Sequence, residues 1–192
     1  MSQVTTDLIH SKATFGFWLY LMTDCLVFAT LFATFSVLRG ATAGGPDGRE
    51  LFDVPFVFVE TMLLLTSSFT VGLGLLAARR GHRRALLTWF ALTGLLGVAF
   101  LGMELYEFAH LVHEGHSWTR SAFLSSYFGL VGAHGLHIAV GLVWLASLLL
   151  FHLKHAVDER GMQRLVQFSL FWHFLDVIWV GIFTIVYLVG VL

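Results

Sequence analysis

Five runs of apolar residues, parted by short polar stretches, organise the chain: approximately 15–38, 55–78, 86–109, 124–150 and 166–190. A bilayer-spanning helix needs about 20 mostly apolar residues. Each run meets that length, so the pattern predicts an all-α polytopic membrane protein with five transmembrane helices. The breaks carry turn and charge signals. Arg39 to Asp53 holds Gly40, Gly44, Gly45, Pro46 and Gly48, and Pro55 follows where a helix start tolerates a missing N–H. RRGHRR, Arg79 to Arg84, separates the second run from the third. His113 to Arg120 and Lys154 to Arg164 part the remaining runs. No polar stretch is long enough for a soluble domain, so residues 1–192 read as one transmembrane domain.

Composition sharpens this picture. Hydrophobic residues make up 57% of the chain and charged residues 12%, against about 25% charged in a soluble domain. The net charge of −1 gives no electrostatic footprint for nucleic acid. A single cysteine, Cys25, excludes an internal disulfide and reads as a small buried hydrophobe. Ala41-Thr42-Ala43 has the look of a signal-peptidase site. The first run is nevertheless too long for a secretory core, and it contains Asp24.

Orientation follows from basic residues, because short Lys- and Arg-rich loops stay in the cytoplasm. With RRGHRR inside, the inner segments hold Lys12, Arg79, Arg80, Arg83, Arg84, Lys154, Arg160 and Arg164. The outer ones hold Arg39, Arg49 and Arg120. The N-terminus is therefore expected inside and the C-terminus outside. Arg79, Arg80, Arg83 and Arg84 are candidates for anionic lipid headgroups or for a partner subunit. Trp18, Trp89, Trp118 and Tyr187 lie near helix ends and fit an interfacial aromatic girdle. Trp172 and Trp179 read as packing.

Eight ionisable residues fall inside the apolar runs: Asp24, Glu60, Glu104, Glu107, His134, His137, His173 and Asp176. Such residues are costly in a bilayer and generally face a partner or a cavity. Glu104/Glu107, His134/His137 and His173/Asp176 are spaced i, i+3, which places each pair on one helix face. By helical rise, Glu60 and Glu104 fall about 10 Å to the outer side of the midplane, and His134, His137, Asp24 and Asp176 within about 5 Å of it. Three chemistries suit these residue types. They can bond helices to one another or to a partner subunit. They can form a proton path. They can also hold two metals, although the Glu-x-x-His motif of di-metal bundles is missing. Gly94, Gly97, Gly102, Gly129, Gly132, Ala133, Gly135 and Gly141 would let the third and fourth helices approach their neighbours closely.

Read with their neighbours, the same residues carry a resemblance. FGFWLYLMTDCLVFATLF (Phe15 to Phe32), LFDVPFVFVETMLLLTSS (Leu51 to Ser68), GMELYEF (Gly102 to Phe108), GAHGLHIAVGLVW (Gly132 to Trp144) and FWHFLDVIWV (Phe171 to Val180) occur in order along the chain. Together they resemble subunit III of the haem–copper respiratory oxidases, most nearly its cytochrome bo-type ubiquinol oxidase branch. Many cytochrome c oxidase members carry Glu, the target of carbodiimides, where Asp24 stands.

The resemblance implies an accessory chain with no catalytic, cofactor or metal residue of its own. Haem and copper would belong to partner subunits. Subunit I would be the main contact, beside subunits II and IV, with bound phospholipid and a supporting role in assembly and proton uptake. The implied location is the bacterial inner membrane. Subunit III of a cytochrome c oxidase, the related subunit of a nitric oxide reductase, and an independent proton-coupled transporter are the alternatives.

Overall fold

A computed structural model of the chain describes the backbone of residues 2–45 and 48–191 and the side chains of 14–45, 48 and 51–190. Lys12 and Arg49, used in the charge balance above, lie outside the described side chains, and Pro46 lies outside the described residues. The elements are α1 (Ser2–Leu38), a single turn α2 (Gly48–Leu51), α3 (Val54–Arg79), α4 (Arg83–His113), α5 (Ala122–Lys154) and α6 (Glu159–Ile182). The last helix continues without a break through a π-helical stretch, Phe183–Leu188, to Val191. Five helices are long and apolar enough to cross a membrane, and no strand occurs among the described residues.

The helix ends have local causes. Asp53, Ser121 and Asp158 cap α3, α5 and α6 by accepting the backbone N–H of Phe56, Leu124 and Gly161. After α3, Gly81 takes φ +75°, and His82 N–H reaches back to the Ala77 carbonyl. That left-handed closure suits glycine and turns the chain into α4 within three residues.

Helices α3, α4, α5 and α6 form a closed ring, each packed on the next, and α1 lies outside it against α5 and α6. The packing face of α1 is a stripe of Phe17, Leu21, Asp24, Phe28, Leu31 and Phe35, alternating steps of four and three. That spacing is the seam of a helix packing at a shallow angle. Along α6 and the π-helical stretch that follows it, the buried stripe runs Leu165, Phe168, Trp172, Leu175, Trp179, Ile182 and Val186. Both of its tryptophans are fully buried and both find hydroxyls on α3. Trp172 Nε1 donates to Ser67 Oγ and Trp179 Nε1 to Thr61 Oγ1, each at 3.0 Å. Thr70 and Thr93 join α3 to α4 through their hydroxyls at 2.8 Å.

Some sequence expectations change. Cys25 is exposed on α1, because it sits one residue off the packing stripe at Asp24. Trp18 and Trp118 are exposed as a girdle requires, but Tyr187 is fully buried and belongs to the core. Gly135 and Gly141 sit against facing side chains, whereas Gly102 and Gly129 have open space where a Cβ would point.

Candidate functional site: a buried carboxyl, tyrosine and histidine core

Two helices bring their carboxyl groups together. Glu60 comes from α3, and Glu104 and Glu107 from consecutive turns of α4. Glu104 and Glu107 lie within electrostatic reach of Glu60. Glu60 and Glu104 are buried, and neither oxygen of either carboxyl group has a hydrogen-bond partner among the described residues. Glu107 is better served. Tyr187 O–H donates to its Oε2 at 3.0 Å, and the Tyr127 and Tyr187 hydroxyls pair at 3.0 Å. The two tyrosines come from α5 and from the π-helical stretch, so three helices meet at one carboxyl group. The Phe52 ring, from the loop between α1 and α3, covers this end at 4.8 Å from Tyr187 and 5.1 Å from Tyr127.

Tyr187 acts here as the donor to a part-buried acid, with Tyr127 paired to its hydroxyl, and no i, i+3 spacing could have shown that. The only sequence signal was a tyrosine within each of two apolar runs. Replacing Tyr187 by Phe keeps the ring and removes the donor. The expected result is a loss of about 1–2 kcal/mol from the bundle, measured by thermal dissociation of the purified complex.

The histidines part ways. His134 is fully buried, with Phe28, Phe100 and Trp179 around its ring at 6.3, 6.0 and 5.2 Å, and neither nitrogen has a hydrogen-bond partner among the described residues. His137 reaches α1, where its Nε2 lies 3.6 Å from Asp24 Oδ2. Its Nδ1 is 2.7 Å from the Ala133 carbonyl, which can only accept, so Nδ1 carries hydrogen. In the neutral ring Nε2 then presents a lone pair to Asp24.

His173 and Asp176 share no hydrogen bond among the described residues. Asp176 is partly buried beside Ser68 of α3, and one of its oxygens has no hydrogen-bond partner among the described residues. His173 was expected to bond between helices. It is instead exposed and donates from Nδ1 to the Ser169 carbonyl of its own helix at 2.7 Å. The physical reason is its offset: one residue beyond Trp172, it turns about 100° away from the buried stripe.

At the basic end, Arg79, Arg80, Arg83 and Arg84 are all exposed. Arg83 spends its Nε on the His152 carbonyl at 2.8 Å, tying α4 to the last turn of α5. Among the described residues, no three His, Cys, Asp or Glu side chains are grouped so as to hold a metal.

Comparison with known proteins agrees with this architecture. A family model described as Cytochrome c oxidase subunit III matches residues 2–191. The cytochrome bo(3) ubiquinol oxidase subunit 3 of Pseudomonas aeruginosa is 52% identical over 178 residues, covering 93% of this chain and 85% of that one. The cytochrome c oxidase subunit 3 of Bacillus sp. strain PS3 is 47% identical over 91% of this chain and 84% of its own. The quinol oxidase subunit 3 of Bacillus subtilis is 45% identical over 91% of this chain and 86% of its own. A five-helix membrane protein matched along nearly its whole length in this way belongs to the cytochrome c oxidase subunit III family.

Proposed function

We propose that this chain is the accessory subunit III of a proton-pumping, cytochrome bo-type ubiquinol oxidase in a bacterial inner membrane. The observation that carries the reading is the 52% identity across 93% of the chain to a protein of that name. Oxidation of ubiquinol and reduction of dioxygen fall to partner chains that hold the haem and copper. This chain packs on subunit I, with subunits II and IV in the same complex. It forms one transmembrane domain with its N-terminus inside and its C-terminus outside. The excess of basic residues on the inner segments, eight of the chain's 11, supports that orientation.

The buried polar residues suit such a role. Asp24 and His137 join α1 to the ring, and Glu60, Glu104, Glu107, His134 and Asp176 lie within the bundle. In this reading they fix helix positions beside subunit I and shape the protonation environment there. Exposed Arg79, Arg80 and Arg84 meet phospholipid headgroups or a partner chain. A cytochrome c oxidase subunit III is the second reading, favoured by the 47% identity to the Bacillus protein of that name.

The test is gentle purification of the tagged chain in mild detergent, followed by subunit mass spectrometry, a reduced-minus-oxidised spectrum and turnover. The expected result is co-purification with a large haem-bearing chain, and oxygen uptake driven by ubiquinol. Uptake driven only by cytochrome c selects the second reading. A lone, colourless chain from an intact preparation defeats both.

A further inference from the structure

One side chain closes the carboxyl core at the end nearest the polar loops. Phe52 follows the single turn α2 and is 8% exposed. Its ring lies 4.8 Å from Tyr187, 5.1 Å from Tyr127 and 6.1 Å from Phe123. Those separations are in the packing range of aromatic pairs. The next residue, Asp53, is exposed and within electrostatic reach of Glu107. Phe52 therefore marks the step from the polar loop to the buried Tyr127 and Tyr187 hydroxyls.

What holds Phe52 there is specific. A helix of one turn has no stability of its own, since isolated helices shorter than about 12–15 residues are marginal in water. The position of α2 rests on what it touches. Gly48 seats it on the last turn of the chain: a Cβ built at Gly48 would lie 2.9 Å from the Gly190 carbonyl oxygen and 3.1 Å from the Phe52 ring. The first obstacle is backbone and cannot swing aside. Phe52 N–H donates to the Gly48 carbonyl at 3.1 Å, and Asp53 fixes the following residue as the cap of α3.

The core behind this closure has a use for water. Glu60 and Glu104 are buried, and neither oxygen of either carboxyl group has a hydrogen-bond partner among the described residues. Buried polar groups in that state take up water wherever a route and room exist. We infer that Phe52 is a plug that bars water at the loop end from the tyrosine–carboxyl core, with Gly48 and Gly190 as its seat. The tyrosine pair, in contact with the plug, is the first part of the core that opening would wet.

The experiment is hydroxyl-radical footprinting of the purified oxidase, read residue by residue by mass spectrometry, with haem content and retention of this chain measured on the same sample. Radicals generated in water oxidise the tyrosine and tryptophan side chains that water reaches. In the parent, Tyr127 and Tyr187 are expected to stay unoxidised. Phe52→Ala raises their oxidation about tenfold or more, because losing a buried phenyl ring shifts an opening equilibrium by more than the 1.4 kcal/mol that tenfold represents. Phe52→Leu keeps apolar bulk and most of the protection. Gly48→Ala keeps the Phe52 ring but unseats the turn, and raises the oxidation of both tyrosines. Trp172, buried elsewhere in the bundle, stays unoxidised throughout. Oxidation of both tyrosines in the parent, or equal oxidation in the parent and Phe52→Ala, overturns the plug. So does oxidation of Trp172 that rises in step with the tyrosines, which would make Phe52 an ordinary packing residue. Should the oxidase fail to retain the Phe52→Ala chain, Gly48→Ala decides, and unchanged tyrosine oxidation there overturns the inference.

Discussion

Trp172→Ala is expected to cost the bundle about 3 kcal/mol or more, the lower end of the range for removing a buried tryptophan. Trp172 is fully buried, and its ring fills the space beside Gly97 and Gly141, whose built Cβ positions would lie 3.0 Å from it. It also supplies the N–H that Ser67 accepts. Ser67 in turn donates to the Leu64 carbonyl at 2.7 Å, so its hydroxyl is fully used in the parent. The alanine variant therefore loses packing on two glycine faces and a bond across the α3–α6 seam. Association of helices in lipid depends on such packing rather than on water exclusion, so a cavity here has no hydrophobic gain to offset it. Trp172→Phe separates the two losses. It keeps most of the ring and should cost about 1 kcal/mol for the missing N–H. Retention of this chain by the purified oxidase, followed against temperature, measures both variants. If Trp172→Ala and Trp172→Phe melt alike, the hydrogen bond outweighs the packing and this account of the seam is wrong.

The five spans were legible in the sequence because each is a long apolar run. Their ends were not. The sequence pattern starts the last helix at 166, whereas α6 begins at Glu159; it ends the third at 109, whereas α4 reaches His113. Hydropathy registers only the hydrocarbon-facing part of a helix. The helices run on into the polar layers, where Arg, Lys and His keep their charged ends in water. The one-turn α2 lies in the loop and has no apolar run to announce it.

Within the site, residue types were legible and partners were not. The spacing of Glu104 and Glu107 places both on one face of α4, and both lie within electrostatic reach of Glu60. Nothing local could show that Tyr127 and Tyr187, 60 residues apart, meet over Glu107. The stripe Leu21, Asp24, Phe28 in α1 does carry Asp24's direction, since an acid in a packing seam must face the neighbouring helix. His173 shows the limit of pairing by spacing alone. The i, i+3 rule put it with Asp176, yet the buried stripe through Trp172 and Trp179 leaves Asp176 beside α3 and turns His173 outward.

The second large effect is expected where α4 and α5 touch at Gly135. A Cβ built there would lie 2.5 Å from Glu104 Oε1 and 2.9 Å from both Cδ and Oε2. Those atoms end a flexible side chain, which would ordinarily move aside cheaply. Here the side chain is 1% exposed and enclosed by the ring of helices, so movement means displacing other core groups. Gly135→Ala should therefore cost about 1–3 kcal/mol as an overpacked site, and Gly135→Leu more. The two positions are in direct contact, so their substitutions should not add. Glu104→Ala removes the obstructing carboxyl and opens space at the same point. The double variant Gly135→Ala/Glu104→Ala should be more stable than the sum of the single effects predicts, by about 0.5–3 kcal/mol, the range for coupled neighbours. Thermal retention of the chain in the purified oxidase measures all four variants. Additive losses would mean that Glu104 does not occupy the space beside Gly135, and the carboxyl core would then be arranged differently from the one described.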